Sequence, residues 1–223
     1  MPEKSAPSSE GFIRFDFDTL TPHERYKLLI GAVVPRPIAW VTSIDEAGRV
    51  NAAPFSFFNV LSADPAILAI GVENHPNRRF KDTGHNIRMT GEFTVNIVDH
   101  ENLHTMNTTA ISFPPEVDEL KEAGLTALPG TKVACPYIAE APVALECQRH
   151  VTLEISAARE IVLGRVVAMH VRSSIINERL HIDPAGLDAL GRMGGNGYCR
   201  SNETFDLKGV SLEQWGNHRG VSI

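Results

Sequence analysis

The sequence predicts a mainly β protein, a closed antiparallel β-barrel with helical insertions. Three observations predict it. Segments with strand chemistry outnumber convincing helical ones, they do not alternate with long helices as a doubly wound parallel sheet would require, and two of them, residues 143–156 and 161–172, are long. No internal repeat, heptad pattern or low-complexity block points to another architecture.

Residues 1–18 read as a flexible leader and residues 19–223 as a single domain. The first ten residues are polar and rich in Pro and Ser, with no apolar core of a signal segment. Phe12, Phe15 and Phe17 punctuate a short extended stretch. Thr21-Pro22-His23-Glu24 then has the form of a capping box with proline at the first helical position, which predicts a helix running to about Gly31. Next comes a β-hairpin. Its first arm is Pro35-Arg36-Pro37-Ile38-Ala39-Trp40-Val41-Thr42-Ser43, Asp45-Glu46-Ala47-Gly48 supplies the turn, and its second arm is Asn51-Ala52-Ala53-Pro54-Phe55-Ser56-Phe57-Phe58-Asn59. The second arm is unusual, because a proline that cannot donate a ladder hydrogen bond sits among small residues that let another molecule approach the backbone.

A buried strand is expected over residues 66–72, then a turn-rich loop over 73–77, and over 78–87 a helix approach and a short helix. Residues 92–99 alternate as a further strand. Between residues 101 and 130 the pattern becomes helical and irregular, broken by Pro114-Pro115, and reads as an excursion from the sheet. The two long strands follow, with Gly164 marking a bulge or a close approach in the second. From Leu180 onward the chain is rich in loops.

With 223 residues, 43% of them apolar, the chain has enough material for a sizeable core. A formal charge of −6 gives no general electrostatic reason to bind nucleic acid or an anionic membrane, and no apolar run is long enough to span a bilayer. The three cysteines, Cys135, Cys147 and Cys199, are scattered and lack CxxC spacing, which disfavours a disulfide framework or a zinc knuckle and suits a reducing cytoplasm.

Few motifs carry chemistry. The glycine cluster from Gly191 to Gly197 follows no strand and opens no helix of a βαβ unit, so it reads as a turn presenting Arg192 and Tyr198 rather than a dinucleotide loop. His100 and His104 have metal-compatible spacing but no third ligand nearby, and a solvated helix face accounts for them better. No GxSxG elbow or activated cysteine supports a hydrolase. Arg78-Arg79-Phe80-Lys81-Asp82-Thr83 differs, because it gathers cations and a hydroxyl at a helix entry, the combination a phosphate needs. The same residues also describe a solvated basic helix end.

The hairpin blocks, the run Lys81-Asp82-Thr83-x-x-Asn86 and the run Gly191-Arg192-Met193-Gly194-Gly195-x-x-Tyr198 together resemble the flavin reductase-like family of FMN-binding split β-barrels, which includes flavoredoxins and the reductase components of two-component monooxygenases. The resemblance extends from about Leu28 to Tyr198. It implies a split antiparallel β-barrel, a homodimer, and FMN held non-covalently. Trp40, Val41, Thr42 and Ser43 would line the flavin and its ribityl phosphate, Ala53, Pro54, Phe55 and Ser56 would face the ring edge, and Asn59 would lie close by. Arg78, Lys81 and Thr83 would hold the phosphate. His150 resembles a histidine found near the flavin in flavoredoxin-like members, although a structural role suits a single histidine in an apolar strand equally well. Arg192 and Tyr198 would cover the nicotinamide side.

The activity so implied is that of an NAD(P)H-dependent flavin reductase, passing electrons to an oxygenase or another acceptor. The cofactor carries such a reaction and the protein orients the rings, so no catalytic triad is expected, and backbone N–H groups of residues 53–56 are the expected donors to the ring. Three alternatives remain at this point: a flavoredoxin-like FMN electron carrier reduced by a protein partner, and, lower, an oxidase of the pyridoxamine-phosphate type, which would need a second phosphate cluster, and a barrel without flavin that serves as a haem or ligand-binding module.

Overall fold

The computed structural model describes residues 11–74, 80–114, 117–212 and 214–215. The first ten residues of the expected leader, together with Arg78 and Arg79, lie outside the described residues. The chain opens on helix α1 (Pro22–Ala32), where both halves of the capping box form: the Thr21 hydroxyl accepts from the Glu24 N–H, and the Glu24 carboxylate accepts from the Thr21 N–H.

Strands β1 (Arg36–Pro37), β2 (Ala39–Ile44), β3 (Val50–Phe55), β4 (Phe58–Ala63) and β5 (Ala66–Glu73) follow, then helix α2 (Asp82–Thr90) and β6 (Glu92–Ile97). The excursion holds α3 (Leu103–Thr108), α4 (Glu119–Glu122), β7 (Ala127–Leu128) and β8 (Tyr137–Ile138). After it come the long pair β9 (Val143–Ser156) and β10 (Arg159–Val171), the short helix α5 (Pro184–Leu187), and β11 (Leu190–Arg192) with β12 (Tyr198–Arg200). Among the described residues no helix is long and apolar enough to cross a membrane.

The hairpin between β2 and β3 forms at the turn its residues predict. The Asp45 carboxylate accepts from the N–H groups of Ala47 and Arg49, at 2.9 and 2.8 Å, and Gly48 takes the left-handed conformation with φ +79°. The second arm, however, stops at Phe55. The chain then turns at Ser56 and Phe57, and Phe58 and Asn59 start β4, which pairs with β5. The short helix expected within residues 78–87 starts at Asp82 and runs on to Thr90.

All ladders in the main sheet are antiparallel, and its seven strands run in the order β3-β2-β6-β9-β10-β5-β4. One buried cluster joins Ala39 and Val41 of β2 to Leu68, Ile70 and Val72 of β5, strands four places apart, so the sheet curls until its inner face meets itself. It is not closed by hydrogen bonds among the described residues, which corrects the simple closed barrel and fits the split one. The reason lies partly in β3. The Ala52 N–H points away from β2 and donates to Glu119, and Pro54, the next outward position, has no N–H to offer.

Gly164 serves both expected purposes. The β9–β10 register shifts beside it, leaving His150 as the extra residue on β9, and a Cβ at Gly164 would stand 2.4 Å from Phe93 Cζ. On the other side of β2 and β3, a second cluster holds Trp40, Ala52, Val98, Met106, Leu120 and Ile138 beneath the excursion. The glycine cluster becomes the hairpin β11–β12, which pairs with β1, and Gly191 packs so closely on Pro35 that an added Cβ would be 2.6 Å from it.

Glu146 pins the excursion to β9. Its fully buried carboxylate accepts from the N–H groups of Thr131, Lys132 and Val133, from the Thr131 hydroxyl and from His170, whose ring stacks on Tyr137. Burial opposes this charge, but the bonds from His170, Thr131 and Lys132 outweigh it and hold the carboxyl at about 2. Because the folded value lies below the ordinary 4.5, the stabilisation is full above 4.5 and is lost as pH falls from there through about 2. The linkage is worth roughly 3 kcal/mol at neutral pH. Denaturation of wild type and Glu146→Gln should therefore differ most near neutrality, the difference shrinking as pH falls below 4.5 and vanishing only below about 2; a constant difference across that range would refute the assignment.

Candidate functional site

The outward edge of β3 forms the floor of a cavity of about 270 Å3 lined by residues 51–55, by Lys81, Asp82 and Thr83 at the start of α2, by residues 109–113, and by Glu119. A second cavity of about 450 Å3 shares Pro54, Phe55 and Lys81 with it and continues along Ser56, Phe57 and Gly71 to β10. The two adjoin across the proline of the edge strand and have the combined extent of a cofactor site.

Alternation along β2 decides what its side chains can reach. Val41 lies in the inner core and Ser43 turns to the α2 side, where it accepts from Asn86 Nδ2 at 3.1 Å. Trp40 and Thr42 face the excursion instead. The Trp40 indole N–H donates to Thr109 Oγ1 at 2.9 Å, so it anchors the loop that makes one wall of the cavity from behind. The Thr42 hydroxyl donates to the Pro136 carbonyl at 2.6 Å and is fully buried there.

Of the residues expected to form the site, the structure brings Ala53, Pro54, Phe55, Lys81 and Thr83 around the first cavity, with Ser56 beside the second. Ser43 touches them through Asn51. Trp40, Val41 and Thr42 stand behind the site with their side chains committed elsewhere. Asn59 is exposed on β4, where its Oδ1 accepts from the N–H of Val60, and His150 is exposed at the β9 bulge. Arg192 stacks on Tyr198, 4.4 Å from the ring centroid, in the small sheet; Arg36 connects that sheet to the site by donating to Met193 O at 3.1 Å and to Ser56 Oγ at 3.5 Å. The expected backbone donors shrink to one: Ala53 and Phe55 give their N–H groups to β2, Pro54 has none, and Ser56 remains.

Asn51, Glu119 and the loop 109–113 belong to the site although nothing in the sequence assigned them a role. Asn51 stands at the head of the second hairpin arm, which was the available signal; Glu119 lies in residues 117–124, whose amphipathic pattern marks a short helix but assigns Glu119 no role. Thr83 Oγ1 donates to Asn51 Oδ1 at 2.8 Å, and Asn51 Nδ2 donates to Glu119 Oε1 at 2.7 Å. This chain fastens α2 to β3 and β3 to α4. Burial raises the Glu119 carboxyl above its ordinary value, against bonds from its own N–H, Asn51 and Ala52, and the Asp82 carboxylate raises it further.

The start of α2 is open toward the cavity. Lys81 occupies the N-cap position without a side-chain capping bond, so the positive end of the helix and an ammonium share one place. Backbone N–H groups, a cation and a hydroxyl within one cavity wall suit a phosphate, and the apolar Pro54 and Phe55 beside them suit a flat ring.

Among known proteins, residues 30–187 match the flavin reductase like domain. The chain belongs to the flavin reductase-like family. An uncharacterized protein of Halalkalibacterium halodurans is 41% identical over 202 residues, covering 88% of this chain and 96% of that one. Nitrilotriacetate monooxygenase component B from Bacillus cereus has a TM-score of 0.85 at 31% identity, covering 89% of this chain and 100% of that chain. The 2-nitrobenzoate 2-nitroreductase NbaA of Pseudomonas fluorescens has a TM-score of 0.82 at 34% identity, covering 90% of this chain and 98% of that chain. The solved neighbours share the split barrel, and membership of the flavin reductase-like family supports a flavin oxidoreductase or flavin electron carrier.

Asn51→Leu keeps the volume of the side chain and removes both bonds, leaving Thr83 and Glu119 with a lost partner each. It should destabilise the fold by about 1–3 kcal/mol, read as a lower urea midpoint; an unchanged midpoint would show that the chain from Thr83 to Glu119 does not hold α2 in place.

Proposed function

We propose that this protein is an NAD(P)H-dependent flavin reductase that binds FMN along the β3 edge and passes electrons to a separate acceptor. The observation that carries the reading is the uncapped start of α2, with Lys81 and Thr83 facing Asn51 to Phe55 across one cavity. Bound there, FMN would supply the hydride-accepting ring that the side chains of this site lack.

The residues hold and orient. Lys81, Thr83 and the first-turn N–H groups of α2 would take the phosphate, as a charge-assisted contact at the positive end of a helix. Pro54 and Phe55 would lie along the ring, and the Ser56 N–H, beyond the β2–β3 ladder, would be the donor to a ring carbonyl. Trp40 fixes the opposite wall through Thr109, which keeps the slot's width constant. A homodimer and an oxygenase partner form part of the proposal: β4 leaves Val60 63% and Leu61 60% exposed at the sheet edge, and the likeness to a monooxygenase component supports a partner of that kind.

Lys81→Ala should weaken FMN binding by about 1.5–3 kcal/mol, measured by fluorescence titration, while leaving riboflavin binding in place. Anaerobic mixing of the FMN-loaded protein with NADH and with NADPH should bleach the flavin absorbance with at least one donor. FMN retained through dialysis but inert to both would instead identify an electron carrier reduced by a protein.

A further inference from the structure

Glu119 and Asn51 form a chain of donors and acceptors whose polarity is fixed by chemistry. A carboxylate only accepts, so a charged Glu119 requires the Nδ2 side of Asn51, which donates to its Oε1 at 2.7 Å. That orientation turns Asn51 Oδ1 toward Thr83, whose hydroxyl donates to it at 2.8 Å. A hydroxyl has one proton to give. While it is given to Asn51, Thr83 shows the cavity only lone pairs, the wrong face for an anion.

A protonated Glu119 reverses the chain. The new O–H at Oε1 donates to Asn51 Oδ1 once the amide has rotated, Asn51 Nδ2 then donates to Thr83 Oγ1, and the Thr83 proton is released toward the cavity. Ser43, whose hydroxyl reaches Asn51 Oδ1 at 3.4 Å, changes from donor to acceptor in the same rotation. Glu119 Oε2 continues to accept from the Ala52 N–H, at 3.3 Å, in both states.

We propose that an anion arriving at Lys81 and Thr83 binds together with one proton from solvent, taken up at Glu119 Oε1, with the Asn51 amide as the reversing element. The proposal rests on the phosphate reading of this cavity and adds its coupling to pH. Charge favours the same direction. Lys81 and Asp82 line the cavity with Glu119, so among the described residues a phosphate placed there meets two carboxylates against one ammonium. Asp45, Glu46, Arg49 and His85 face Glu119 from the hairpin turn and α2 in an adjoining cavity, and Asp118, Lys121 and Glu122 flank it on its own segment. Burial holds the Glu119 carboxyl above its ordinary value, against hydrogen bonds that lower it, which is the direction that uptake of a proton requires.

Glu119→Gln tests this directly, because its amide can donate to Asn51 while its carbonyl accepts from Ala52, which reproduces the protonated arrangement. FMN and riboflavin affinities are measured from about pH 5 to about pH 8.5 for both proteins, with proton uptake read by calorimetry in two buffers of different ionisation enthalpy. In wild type, FMN affinity should fall with rising pH by up to about tenfold per unit, with uptake approaching one proton per FMN. Relative to wild type, Glu119→Gln should retain affinity at the alkaline end and lose the uptake. The phosphate's own ionisation and His85 are common to both proteins and cancel in the difference. Adding Thr83→Val should erase the advantage of Glu119→Gln. Parallel profiles and equal uptake, with FMN still bound more tightly than riboflavin, would overturn the proton coupling alone. Equal affinity for FMN and riboflavin, insensitive to Lys81→Ala, would overturn the phosphate reading and this inference with it.

Discussion

β3 ends the seven-stranded sheet because Pro54 has no N–H to give and Ala52 gives its own to Glu119. An unsatisfied strand edge is a liability, and here α2, the loop 109–113 and α4 gather around it. The split in the barrel is therefore also the place where backbone, helix start and cavity coincide. A closed ladder at this point would have left no room for a flat ligand.

The cavity is electrostatically mixed. The open end of α2 and Lys81 favour an anion, whereas Asp82 and Glu119 oppose one. Such a balance makes the site responsive to a single proton, since removing one negative charge from a half-enclosed wall alters the sum more than it would in water. The network from Thr83 through Asn51 to Glu119 runs in one direction, fixed by the carboxylate that can only accept, so its polarity follows the proton on the carboxyl at its end.

Support for the site comes from both faces of β2. Trp40 and Thr42 fasten the excursion, Val41 belongs to the core that joins β2 to β5, and Ser43 meets α2. Glu146 does comparable work at the far side of the excursion, holding residues 131–133 to β9. Anchors on either side of the excursion are what a binding slot needs to keep its dimensions.

The sequence by itself determined the antiparallel architecture, the α1 capping box, the hairpin and its turn, and the role of Gly164. Those features are local or periodic, and short-range chemistry specifies them. Only the tertiary structure decided that Thr42 turns from the cavity while Ser43 approaches it, because a strand has two faces and nothing local says which one meets α2. It also decided that Asn59 starts a new strand, that Ala53 and Phe55 spend their N–H groups on β2, and that Glu119 closes the site from 68 residues beyond Asn51. Contacts of that separation depend on how the curled sheet folds the excursion back, and no window of neighbouring residues contains that information.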